Sequence, residues 1–184
     1  MDELRSTLID LANHTYSGAP FLGAYGVTWV VCAVLWRKVS LYTASLATLF
    51  QGMVALPIAL GVSASLGMLT NQPGGELINQ LTIMLSLSQM LVLPILILFS
   101  IKGNFTAIPI IFSTAVTIHF VPYAWLYQNI GYIAMPIIIA IALTLLYAMD
   151  KDKPAGQLMS ERGASFVCAV TGISMLITGT LFII

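Results

Sequence analysis

The sequence predicts an all-α polytopic membrane protein: a six-helix transmembrane bundle with proline-kinked helices and a short N-terminal amphipathic helix. Three observations predict it. Of 184 residues, 59% are apolar and 8% charged, with a mean hydropathy of +0.96, whereas soluble domains carry roughly 25% charged residues. Six stretches, at roughly 17–36, 41–66, 80–101, 105–127, 130–149 and 164–184, reach about the 20 apolar residues that a helix needs to cross a bilayer. The connections between them are short, so the chain reads as a single transmembrane domain over 1–184. Membrane lipids are the expected surroundings. The net charge is zero, which offers no electrostatic surface to nucleic acid.

Ahead of the first span, Leu4, Leu8, Leu11 and Ala12 recur at helical spacing opposite Asp2, Glu3, Arg5 and Asp10. This pattern predicts a short amphipathic helix on the membrane surface, with a frayed tail as the alternative. The opening Met1-Asp2-Glu3-Leu4-Arg5 lacks the order of a cleavable signal peptide, a basic region followed by an apolar one.

Orientation follows from the basic residues. Arg37 and Lys38 follow the first span, Lys102 the third, and Lys151, Lys153 and Arg162 lie between the fifth and sixth. With six spans these share one side, and the other side holds only Arg5. The positive-inside rule predicts that the basic connections are cytoplasmic and both termini external.

Prolines punctuate four consecutive spans at Pro57, Pro94, Pro122 and Pro136. Each removes a backbone donor and frees a carbonyl that a neighbour must satisfy. They either shape the bundle or help to build an uncharged polar cavity. In the last span Ser165, Cys168, Gly172 and Gly179 share a face, and Gly61 and Ser65 mark the second. Small faces permit close helix contact, within the subunit or between subunits, so a homo-oligomer through the last span is one expectation. Trp29, Trp36, Trp125 and several tyrosines lie near span ends, where an aromatic belt is expected. Cys32 and Cys168 read as small buried side chains, without the neighbouring ligands of a zinc site.

The candidate site comes from depth. His119 is the only acidic, basic or imidazole side chain within an apolar stretch, and such a group at membrane depth marks a functional site by default. Gln51 and Gln89 fall near the midpoints of spans two and three, and His119 lies on the order of 5 Å to the outer side of the midpoint of span four. His119, Tyr123 and Tyr127 repeat at i+4, and Thr82, Ser86 and Gln89 form another stripe. Gln51, Gln89, His119 and Tyr123 are therefore the candidate substrate-binding residues, with Gln51, Gln89 or a tyrosine as the expected partner of His119. The alternative for each is interhelical glue, at around 0.6 kcal/mol per hydrogen bond.

Gly52-Met53-Val54-Ala55-Leu56-Pro57-Ile58 echoes Gly131-Tyr132-Ile133-Ala134-Met135-Pro136-Ile137. Spans two and five run in opposite directions, as an inverted repeat requires. Asn71-Gln72-Pro73, the Gln89-to-Pro94 segment and the run His119-Phe120-Val121-Pro122-Tyr123-Ala124-Trp125-Leu126-Tyr127 together resemble an uncharacterised family of small bacterial membrane proteins, a domain of unknown function. That family is expected to carry leucine where Gly74 stands here. The resemblance implies a bacterial inner-membrane protein and no particular activity.

Two functions fit these residues. One is a channel or facilitative transporter for a small neutral or weakly basic solute, with His119 as ligand or pH gate. Spans without acids disfavour carboxylate-based ion coupling. The other is a non-catalytic binding, immunity or assembly subunit. Enzymatic activity is not expected: no paired carboxylate, triad or His-Glu-x-x-His signature occurs. No cofactor or metal is implied.

Overall fold

The computed structural model describes residues 2–184, which are helical with no strand among them. Six segments are long and apolar enough to cross a membrane: Tyr16–Lys38, Leu41–Ser65, Gly75–Ile101, Ala107–Leu126, Gly131–Met149 and Glu161–Leu181. The all-α six-span class is therefore realised, and the chain is a multi-pass membrane protein. Two spans start earlier than hydropathy predicts, because their first turns are polar. Glu76 and Glu161 sit in those turns, where the helix dipole favours a negative charge. Ser160 caps the last span by accepting a hydrogen bond from the Gly163 N–H at 3.0 Å.

In chain order the helices are α1 (Asp2–His14), α2 (Ala19–Lys38), α3 (Leu41–Phe50), α4 (Gly52–Ser65), α5 (Gly75–Ser88), α6 (Leu93–Ile101), α7 (Ala107–Leu126), α8 (Gly131–Met149) and α9 (Glu161–Leu181). Span two is thus α3 and α4 joined at Gln51, and span three is α5 and α6 joined by the 3-10 turn Gln89–Val92. The second break has a direct cause. Pro94 has no N–H to offer the Met90 carbonyl, which accepts from the Leu93 N–H instead, and that shorter bond tightens the turn. In span two the Gln51 carbonyl accepts from both Val54 and Ala55, at 3.0 and 2.9 Å, a turn ahead of Pro57. Pro122 and Pro136 lie inside α7 and α8, which the structure keeps as single helices.

The bundle is built on α2 and α9, the most extensively packed pair. A Cβ on Gly172 would lie 2.7 Å from the Gly26 carbonyl oxygen, so the helices approach at backbone distance. Ser165 donates to the Ala33 carbonyl at 2.8 Å and accepts from Arg37 Nε at 3.0 Å. The small-residue face of the last span is therefore buried inside the subunit against α2. Around this pair, α4 packs on α2, α8 packs on α7 and α9, and α3 touches α2 and α7. Span three stands at the edge, with only 6% of its most apolar window buried, against 50% in span six.

Both termini share one end, where Tyr132 Oη donates to the Ser17 carbonyl, Phe182 packs on Tyr132 at 5.1 Å, and His14 Nε2 meets the Thr70 carbonyl oxygen at 3.1 Å. The basic connections share the opposite end. There Gln157 accepts from the Thr106 N–H and hydroxyl and donates to the Gly103 carbonyl, so that the α8–α9 loop straps the α6–α7 turn.

Three expectations change. The amphipathic helix exists as α1, but Leu8 and Leu11 are buried in the protein core rather than laid on a membrane surface. Trp29 and Trp36 are fully buried, Trp36 donating to Thr48 Oγ1 at 2.9 Å, so of the three tryptophans only Trp125 is exposed as a belt residue would be. In the echo, Gly52 opens α4 midway along span two, whereas Gly131 opens span five at its end. The two copies occupy different depths, which an inverted repeat does not allow.

Candidate functional site

The break in span three is what builds the site. Its first half, α5, carries Thr82 and Ser86 toward α7, and the 3-10 turn presents Gln89. Facing them on α7 are Val116, His119, Phe120, Tyr123 and, just beyond its end, Tyr127. Phe21, Leu22 and Tyr25 come from α2, Leu56 from α4 and Tyr132 from α8. The cavity, of about 90 Å³, is several times the roughly 10–15 Å³ that one water needs. It lies in the half of the bundle nearer the termini. No acidic or basic side chain lines it.

Of the four predicted binding residues, Gln89, His119 and Tyr123 line this cavity and Gln51 does not. Gln51 is 4% exposed, and neither side-chain atom meets a hydrogen-bond partner among the described residues. The Trp29 indole N–H is similarly orphaned. The two lie at one level: Trp29 falls between Tyr25 and Trp36 on α2, and Gln51 between Thr48, which bonds Trp36, and Gly52, which faces Tyr25.

The hydrogen bonds fix which groups the cavity offers. Ser88 Oγ donates to the Leu85 carbonyl at 2.7 Å, so its contact with His119 Nδ1 at 3.1 Å is assigned as a donation from the ring. That leaves Nε2 as the acceptor of a neutral imidazole. Ser86 Oγ donates to the Thr82 carbonyl at 2.8 Å, so Tyr123 Oη, 3.1 Å away, donates to Ser86. Thr82 spends its proton on the Ile78 carbonyl. Tyr123 and His119 therefore retain acceptor capacity, and the Gln89 amide, beside the Tyr25 phenol, offers both a donor and an acceptor.

Aromatic rings hold this arrangement. His119 stands edge-on to Tyr123 at 5.2 Å, as their i+4 spacing predicts, and Tyr123, Tyr127 and Tyr132 follow in a chain 5.8 and 5.6 Å apart. Tyr25 and Tyr132 join the predicted site residues: Tyr132 lies near a span end, where a tyrosine reads as an interfacial belt residue, and nothing in the sequence marks Tyr25, in the middle of span one, as facing the site. Ser88, the partner of His119, lies one residue from Gln89, and it was hidden because isolated serines are common in spans. Among the described residues no three His, Cys, Asp or Glu side chains gather to hold a metal ion.

The Asn71-Gln72-Pro73 motif shapes the α4–α5 connection, with Gln72 Nε2 donating to the Met68 carbonyl at 3.0 Å. Gly74 follows at a φ of +101°, and a Cβ there would lie 2.5 Å from Ile78 Cδ1. Leucine, expected from the resemblance, does not fit this backbone. In comparison with known proteins, a family model described as a family of unknown function matches residues 1–184. No curated protein and no solved structure gives a match.

Proposed function

The chain belongs to DUF7010, a family of unknown function, and from that premise we propose that it is a channel or facilitative transporter for a small neutral or weakly basic solute. The observation that carries this reading is the uncharged cavity at the broken turn of span three, lined by Gln89, His119 and Tyr123. Interrupted helices beside a polar cavity recur at the substrate sites of secondary transporters. Acceptors at Tyr123 and His119 suit a solute that donates from a hydroxyl, amide or amine. A bacterial inner membrane, with the basic end cytoplasmic and both termini outside, suits the charge asymmetry.

His119 supplies the gate in this reading. Protonation turns Nε2 from acceptor into donor, which removes one contact to a donor solute and adds charge to a cavity without a counter-ion. Uptake should then fall on acidification. In reconstituted vesicles, urea and glycerol flux measured by light scattering should drop at acid pH with the wild-type protein, and His119→Phe should lose the pH dependence. A pH dependence unchanged in that variant excludes His119 as the gate, and flux equal to empty vesicles excludes transport of these solutes.

A second reading, an accessory or assembly subunit, draws on span three, whose Leu77, Leu91 and Ile101 are each more than three-quarters exposed. A stoichiometric protein partner on this flank, without solute flux, would favour it.

A further inference from the structure

The cavity has a side. Below the two helix breaks, spans two and three are in contact through α3 and α6. Above them they part: α4 packs on α2 and α5 on α7, and no extensive contact joins the two. Leu56 on α4 and Ser86 on α5 line the cavity, yet both are exposed on the bundle's flank. The end carrying the termini is covered instead. There α1 buries Leu8 and Leu11, the α4–α5 connection buries Met68, and His14 ties the two together through Thr70.

We infer that the cavity takes an amphipathic, lipid-like molecule with an uncharged, hydrogen-donating head, which enters sideways from the bilayer between α4 and α5. This rests on the reading of the cavity as a solute site, and it names the class of molecule and the route. The head lies among Ser86, Gln89, His119 and Tyr123, and the tail leaves past Leu56 into hydrocarbon. A phosphate or carboxylate head is disfavoured because no cation lines the cavity and a bare charge at that depth is costly. A hydroxyl or amide head finds the acceptors already described, and its apolar tail loses nothing by remaining in lipid.

The full-length protein in lipid nanodiscs should be photolabelled with a diazirine-bearing hexadecanol and, in parallel, with the corresponding fatty acid at alkaline pH. The alcohol should label the Ser86–Gln89 and His119–Tyr123 segments, the acid should not, and unlabelled hexadecanol should compete. Leu56→Trp, which fills the gap, should lower cavity labelling by about tenfold, as should Gln89→Leu, which removes a hydrogen-bonding group. Ile58→Trp, on the same helix but outside the cavity lining, should leave labelling unchanged. Equal labelling of all lipid-facing helices, insensitive to Leu56→Trp, overturns the inference.

A second arm uses Ser86→Cys. Reaction with lipid-soluble N-ethylmaleimide but not with a charged, impermeant methanethiosulfonate supports lateral entry. Rapid reaction with the charged reagent overturns lateral entry while leaving a water-filled solute site intact, so the two readings fail separately.

Discussion

At the scale of single residues, the site is a matter of which protons are already committed. Ser86, Ser88 and Thr82 each donate to a carbonyl of their own helix, and this turns Tyr123 and His119 toward donating to serine oxygens. Replacing Ser88 with alanine frees the His119 ring to turn or change tautomer. Ser88→Ala should therefore alter the pH profile of flux with little loss of stability, as judged by thermal unfolding in detergent. An unchanged profile would argue that Ser88 does not set the tautomer. Gln51 makes the opposite case. Its buried amide has no partner among the described residues, and an unsatisfied buried polar group costs about 1–3 kcal/mol. Gln51→Met, of similar length, should raise stability by up to about that amount, and a marked loss would mean that the amide is satisfied after all.

At the scale of elements, two features decide the architecture. The α2–α9 contact requires glycine at its closest point, where a Cβ on Gly172 would strike the Gly26 carbonyl. Gly172→Val should destabilise the protein by about 1–3 kcal/mol through overpacking, seen as a lower midpoint in thermal or denaturant unfolding. Stability equal to wild type would contradict this packing. The break in span three falls where Pro94 withholds the N–H that the Met90 carbonyl would otherwise accept from. Much of this was legible in the sequence: span number and type followed from apolar length, and the small-residue face of the last span marked a tight contact. Its partner did not, because a glycine stripe reports closeness without naming the neighbour. Gln89, His119 and Tyr123 were found together because depth and i+4 spacing are sequence properties. Gln51 shares their depth by hydropathy but lies outside the cavity, at the level of Trp29, and rotation about a helix broken at that residue is not readable from hydropathy. Tyr132, at a span end where a belt residue is expected, shows the same limit, since position along a helix does not say whether a ring faces lipid or core.

At the scale of the whole molecule, charge and cavity give the bundle two distinct ends. All the basic connections lie opposite the termini, and the cavity lies toward the termini. If the basic end is cytoplasmic, a cysteine at Gln128 should react with an impermeant reagent on intact cells, and one at Lys153 only after permeabilisation. The reverse pattern would invert the topology and place the cavity on the cytoplasmic side. The loosely packed third span is the element best placed to move, since it contributes Ser86, Ser88 and Gln89 while burying little of itself. The central claim is that its broken turn and the facing imidazole form a solute site. The most direct test is flux of small neutral solutes through vesicles containing wild-type protein or Gln89→Leu. The account predicts wild-type flux above that of empty vesicles and a fall of about tenfold in the variant. Equal flux through both would contradict it.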